Sequence, residues 1–160
     1  MNPYLEGNIV VQGLHQLAYS NLWDIDTVKG MQYPALAATM PVPVTVHGFV
    51  SNIHELMDAA DLIVTKPGGL TTTEILAKGK PMALVAPIPG QEQRNCEYLL
   101  EEGAAVRLYD VSDASYYLRH WLEDTTRMKR MQKAAREIAK PRAAEAIADS
   151  LLAELRRQND

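Results

Sequence analysis

Two short apolar runs, Leu62-Ile63-Val64-Thr65 and Met82-Ala83-Leu84-Val85, each lead into a turn built from proline and glycine and then into a segment of helical period. A strand that is apolar at every position has no face to give to water, so it belongs inside a parallel sheet covered on both sides. Parallel neighbours require crossover connections, and the segments between the runs have the length and period of helices. The chain is thereby confined to a repeating β-α pattern. Val44 to Val50 extends it as a β-branched strand that stops near Gly48. Ser51 or Asn52 caps a helix with Ile53, Leu56, Met57 and Ala60 at helical spacing. Thr71 to Lys78 and Gln91 to Glu102 are predicted helices, closed by Gly79 and Gly103. Ala104 to Leu108 is a further strand, and residues 113 to 156 are predicted to be largely helical with a break at Pro141.

The expected fold class is α/β, a Rossmann-like parallel sheet with helices on both faces and right-handed crossovers. The first forty residues fit it less well. Asn8 to Gly13 reads as an earlier strand with its glycine turn, and the stretch from there through Tyr33 to Met40 has no clear period. The chain therefore divides into an atypical N-terminal segment, residues 1–40, and an α/β domain with C-terminal helices, residues 41–160.

Composition removes several function classes. A net charge of −4 supplies no basic field to collect nucleic acid or to hold an anionic membrane surface. Cys96 is the single cysteine, which excludes an intrachain disulfide and a cysteine zinc site and points to a reducing, cytoplasmic setting. No apolar run approaches bilayer length, and the first thirty residues lack a signal pattern.

In an open α/β sheet, ligands bind beyond the carboxyl ends of the strands. Three such ends are visible, at His47 to Asn52, Thr65 to Thr71 and Pro87 to Gln91, and the topology places them on one edge. Gly68 and Gly69 allow close approach of a ligand to the backbone, and the helix after them offers free N–H groups and the positive end of its dipole to an anion. Thr71, Thr72 and Thr73 add hydroxyl donors, and Glu74 stands one turn inside, where a carboxylate accepts from a vicinal diol such as ribose. The plain structural alternative is a tight turn with a threonine cap. The loop is neither a Walker A motif, since no Gly-Lys-Ser/Thr comes after the glycines, nor a G-x-G-x-x-G dinucleotide loop. In the next loop Gln91 and Glu92 suit sugar hydroxyls, with Asn95 one turn on, facing either the site or solvent.

The remaining candidates are read structurally. His15, His47, His54 and His120 have no mutual metal spacing, so no metal site is expected. Asp24-Ile25-Asp26 has a D-x-D form but no strand before it. Cys96 is expected to be buried, and Arg127, Lys129, Arg130, Lys133 and Arg136 to form a solvated helix face.

Taken together, His47-Gly48-Phe49-Val50, Thr65-Lys66-Pro67-Gly68-Gly69-Leu70-Thr71-x-x-Glu74, Pro87-x-Pro89-Gly90-Gln91-Glu92-x-x-Asn95 and Glu102-Gly103-Ala104-Ala105 resemble one glycosyltransferase family over about residues 42 to 140. It includes the diacylglycerol glucosyltransferases, the plastid monogalactosyldiacylglycerol synthases and the peptidoglycan transferase MurG. The resemblance implies the C-terminal half of a GT-B fold, binding a UDP-sugar (UDP-glucose or UDP-galactose) as substrate, with no cofactor and no metal in the donor site. It implies that Phe49 and the backbone of Val50 border the uracil with Ile53 packed nearby. Gly68, Gly69, Leu70 and Thr71 would surround the diphosphate, Glu74 would hold the ribose, and Gln91, Glu92 and Asn95 would line the sugar side. The family inverts the anomeric centre. Its N-terminal domain supplies the acceptor site and the catalytic base, and no counterpart is recognisable here. The Gly-rich loop after the first strand of the donor domain is missing too, with Gly13-Leu14-His15 a faint echo. The expectation is a donor-binding domain of a glycolipid hexosyltransferase that needs an N-terminal acceptor domain or partner subunit, cytoplasmic and peripheral at the membrane in the full enzyme. The competing expectations are a non-catalytic UDP-sugar-binding module and, more weakly, a UDP-sugar epimerase.

Overall fold

The computed structural model describes residues 9–11, 51–110 and 113–159. The predicted strand at 44–50, with Phe49 and Val50, and the Asp24-Ile25-Asp26 sequence lie outside those residues. Within them, β1 (Ile9–Val11), β2 (Leu62–Thr65), β3 (Met82–Val85) and β4 (Ala105–Leu108) form a parallel sheet in the order β1-β2-β3-β4. The helices are α1 (Ile53–Ala59), α2 (Gly69–Ala77), α3 (Gln91–Glu101), α4 (Ala114–Glu123), α5 (Thr125–Ile138) and α6 (Ala143–Asn159).

Successive strand residues point to opposite faces, and both faces are filled. Ile63, Met82, Leu84 and Ala105 meet Met57 of α1, Ile75 of α2, and Cys96 and Leu99 of α3 on one side. Leu62, Val64, Ala83, Val85, Val106 and Leu108 meet Trp121 of α4 and Met128 and Met131 of α5 on the other. The α5 helix also sends Ala135 into the first core, so it closes both layers. Each fully buried Leu, Ile or Met contributes roughly 1.5–3 kcal/mol of transfer free energy. The expected two-faced α/β arrangement is thus realised by the uninterrupted apolar runs. Ile9↔Leu62 to Val11↔Val64 sets the early strand directly beside β2.

Both predicted glycine stops are left-handed, Gly79 at φ 62° and Gly103 at φ 73°. At the first, Lys80 N–H donates to the Ile75 carbonyl (3.2 Å) and Gly79 N–H to that of Leu76 (2.9 Å); Ala104 and Gly103 repeat the pair on Leu99 and Leu100. These are Schellman closures, which satisfy carbonyls the helix end would otherwise strand. The C-terminal helical stretch breaks earlier than expected as well as near Pro141. Asp124 separates α4 from α5 and caps α5 by accepting from Arg127 N–H at 2.9 Å. Lys129, Arg130, Lys133 and Arg136 lie exposed along α5, with Arg127 half-buried.

Registers Thr65↔Leu84 and Val85↔Leu108 bring the carboxyl ends of β2, β3 and β4 into one row. The loops that leave this row form the candidate site.

Candidate functional site

At the end of β2 the chain folds back on itself. The Lys66 carbonyl accepts from the Gly68 N–H at 2.8 Å and from the buried Thr65 hydroxyl at 3.2 Å. Gly68 is then the extended N-cap residue of α2 (φ −69°, ψ 142°) and supplies no side chain to cap it. The helix starts at Gly69, two residues before the predicted Thr71, so Gly69 and Leu70 stand in its first turn. Its first intrahelical bond runs from Thr72 N–H to the Gly68 carbonyl at 3.0 Å. The N–H groups of Gly69, Leu70 and Thr71 precede that bond and have no intrahelical acceptor. With the positive end of the helix dipole behind them, they make a cradle that could receive an anion.

The space in front of the cradle is open. A Cβ built on Gly68 would meet nothing within 4 Å, and one built on Gly69 would meet only Gln91 Nε2, at 3.7 Å. Gln91 therefore stands beside the cradle although it belongs to another loop. Leu70 projects from the same turn with 84% of its surface exposed. The threonine run is only partly available to a ligand. Thr72 donates to the carbonyls of Gly68 (2.8 Å) and Gly69 (3.2 Å), and Thr73 donates to that of Gly69 (2.7 Å). Both expected donors are turned back onto the helix, and Thr71, half-buried in the first turn, is the one threonine of the run without such a bond among the described residues. Glu74 lies exposed one turn further along α2.

The second loop leaves β3 through Ala86, a non-glycine residue at φ 41°, and reaches α3 through Gly90 at φ 108°. A left-handed alanine costs on the order of 1–3 kcal/mol and survives only where its surroundings impose it. Here Glu92 Oε2 accepts from Ile88 N–H at 2.9 Å, and Gln93 N–H donates to the Ile88 carbonyl at 3.2 Å. Glu92 thus uses one carboxylate oxygen to shape its own loop. Asn95 resolves between its two predicted orientations toward the cradle, since its Nδ2 donates to the Pro67 carbonyl at 2.9 Å. It holds the loop from behind. Next to it, burial pushes the Cys96 thiol up from its ordinary range, so the residue behaves as a core group.

Gly68, Gly69, Leu70, Thr71, Glu74, Gln91, Glu92 and Asn95 are accordingly carried by two adjoining loops and the helices they lead into. Ile53 packs against the core on α1, and Phe49 and Val50 lie outside the described residues. The special backbone of Ala86 has no counterpart among the sequence expectations, because alanine carries no signal for positive φ. Among the described residues, no cluster of His, Cys, Asp and Glu could hold a metal ion, and no helix is long and apolar enough to cross a membrane.

Comparison with known proteins returns glycosyltransferases. The family described as Glycosyl transferases group 1 matches residues 8–138. A processive diacylglycerol beta-glucosyltransferase of Bacillus cereus (strain AH187) is 39% identical over 114 residues, covering 71% of this chain and 29% of that protein. One of the same description from Bacillus anthracis (strain CDC 684 / NRRL 3495) is 38% identical over 116 residues, covering 72% and 30%. The chain spans about three tenths of the length of these curated relatives. Among solved structures, Acinetobacter baumannii MurG superposes with a TM-score of 0.64 at 26% identity, over 72% of this chain and 36% of that one. The glycotransferase of kitacinnamycin gives a TM-score of 0.54 at 26% identity, over 69% and 30%.

Proposed function

The chain belongs to the Glycosyl transferases group 1 family, and from that premise we propose that it is the donor-binding part of a UDP-sugar-dependent glycolipid hexosyltransferase. The observation that carries this reading is the open, N–H-lined start of α2 with Gln91 beside Gly69. In the proposed complex the N–H groups of Gly69, Leu70 and Thr71 hold the diphosphate, and Glu74 accepts from the ribose hydroxyls. Gln91 and the free oxygen of Glu92 meet the sugar. Phe49, Val50 and Ile53 are proposed for the uracil side.

The proposed chemistry is displacement with inversion. An acceptor hydroxyl, losing its proton to a base, bonds to the anomeric carbon while the bond from that carbon to the diphosphate oxygen breaks. UDP leaves with the electron pair, and the α2 terminus stabilises the charge that develops on it. This assigns the leaving-group half of catalysis to the chain. The base and the acceptor site belong to an N-terminal domain or partner subunit, in keeping with the matched region being only 29% of the relative's length. Description of the relatives as diacylglycerol beta-glucosyltransferases supports UDP-glucose as the donor, with UDP-galactose the competitor, and a lipid acceptor reached at a membrane surface. The second reading is a UDP-sugar-binding module without transfer activity of its own.

Calorimetric titration of the chain with UDP tests the proposal. Binding in the micromolar to millimolar range, weakened at least tenfold in Glu74→Ala, is expected. Absence of binding at millimolar UDP overturns it. Transfer assays with UDP-glucose and diacylglycerol, alone and with an acceptor domain, separate the two readings.

A further inference from the structure

Of the described helices, α6 alone sends no residue into either core. Its residues from Ala143 to Gln158 are all exposed. They are not polar all round. Ala144, Ile147, Ala148, Leu151, Leu152 and Leu155 recur at alternating spacings of three and one, which lays them along one side of the helix. The four large ones, Ile147, Leu151, Leu152 and Leu155, are 51–62% exposed. A helix of 17 residues is marginal in water by itself, and helices in proteins draw most of their stability from packing such a face.

The charges of α6 say what can cover that face, because they are sorted along its length. Glu145 and Asp149 stand in the first half, and Arg156 and Arg157 in the last turn. Glu145 pairs with Arg142 and Arg157 with Glu154, whereas Asp149 and Arg156 have no ion pair among the described residues. At about 100° per residue, Glu145, Asp149 and Arg156 fall on one border of the apolar stripe, the border next to Leu152. A second α6 laid parallel would set acid beside acid and arginine beside arginine. Laid antiparallel, about a two-fold axis between Leu151 and Leu152, the same border meets itself in reverse. Arg156 then comes level with the turn between the partner's Glu145 and the partner's Asp149. In that register Leu151 faces the partner's Leu152, and Leu155 the partner's Ala148. A bilayer is the poorer match, since an interfacial helix carries Lys and Arg along its polar face, and α6 has Glu145, Asp149 and Glu154 against two arginines.

We propose that α6 is a self-association surface, on which two copies of this chain form an antiparallel, two-fold symmetric helix pair. The apolar stripe supplies the attraction, and the charge order fixes the direction and register. The contact is one helix long, about 25 Å, which places it at the small end of protein interfaces. A reversible dimer with a Kd of roughly 10–100 μM is therefore expected. None of the donor-site residues lies on α6, so the inference is independent of the donor-site reading.

The test is sedimentation equilibrium of the full chain over about 5–500 μM, with the variants Leu151→Asp and Arg156→Glu. The wild type is expected to pass from monomer to dimer across this range, and Leu151→Asp to stay monomeric. Leu151 is exposed and outside both cores, so the thermal midpoint of this variant should match that of the dilute wild type. Arg156→Glu should weaken the dimer about tenfold, because two symmetry-related pairs turn repulsive. Combining it with Glu145→Lys and Asp149→Lys should restore association. A wild type that is monomeric at every concentration overturns the proposal, as does a dimer that survives Leu151→Asp. A dimer lost in Leu151→Asp but unmoved by Arg156→Glu overturns the antiparallel register. A monomer that uses Leu151 to bind phosphatidylglycerol vesicles overturns it in favour of a lipid surface. UDP affinity should be equal in Leu151→Asp and the wild type, whatever its value, so this proposal and the donor-site reading fail separately.

Discussion

The Asn95 side-chain amide donates to the Pro67 carbonyl at 2.9 Å, across 28 residues of sequence. That single bond ties the start of α3 to the loop that begins α2. The two loops that carry most of the candidate site are therefore one mechanical unit. Pro67 is fully buried, so its carbonyl depends on this donor.

Removing the tie should affect both stability and binding. Asn95→Ala leaves a buried carbonyl without its partner and is expected to cost about 1–3 kcal/mol, measured by urea denaturation. Asn95→Asp should cost more, because a carboxylate facing a carbonyl repels it. Both variants are expected to bind UDP less tightly than the wild type. An Asn95→Ala chain with unchanged stability would show that the loops are positioned independently.

The glycines divide into two kinds. Gly68→Ala meets no atom within 4 Å at a φ of −69°, so the substitution fits the fold. Its gain from a stiffer unfolded chain and its loss as a poorer N-cap are each a few tenths of a kcal/mol to about 1 kcal/mol and oppose one another. Stability is expected to stay within about 0.5 kcal/mol, while the added methyl narrows the approach to the cradle and weakens UDP binding. Gly79→Ala is the converse. At φ 62°, with Arg136 Cγ and Nε 2.6 Å from the new Cβ, it should lose about 1–3 kcal/mol of stability and leave the intrinsic UDP affinity unchanged.

Cys96 should be inert in the folded chain. Burial raises its thiol above the ordinary value of 9.0, so the native state holds the proton to a higher pH than the unfolded state does. Stability is then expected to fall as pH rises past that value, where only the unfolded chain ionises. Labelling with a disulfide reagent at about pH 8, where the unfolded thiol is partly ionised, should track global unfolding, and rapid labelling of the native chain would contradict the burial.

The Lys78–Asp58 bridge, with Asp58 exposed and Lys78 half-buried, predicts the opposite pH sign. Its hydrogen bond to Lys78 holds the Asp58 carboxyl below its ordinary value of 3.8. The contribution is complete above that value and is lost as pH falls through the lower folded-state value. Asp58→Asn should flatten the acid limb of the stability curve slightly and leave the neutral region almost unchanged.

Much of this was legible in the residues themselves. Runs apolar at every position, such as Met82 to Val85, point to a strand covered on both faces when turn residues bound them, and glycines at the helix stops carry their own backbone preference. These signals are local, so the β-α order, the Schellman closures at Gly79 and Gly103, and the break between β2 and α2 at Gly68 and Gly69 could be anticipated. Other features depend on partners distant in sequence. Nothing in Ile9-Val10-Val11 specifies that it pairs with Leu62 to Val64, because strand adjacency is chosen by which apolar faces are left to cover. Nothing in Asn95 distinguishes a ligand contact from a loop tie until Pro67 is in place beside it. Thr72 and Thr73 read as donors for a ligand, and only the helix shows their hydroxyls returned to its own carbonyls. Lys66 reads, in sequence, as a residue on the wrong side of a phosphate loop. Whether that residue is exposed or buried is decided only by the folded whole, which leaves it 6% exposed.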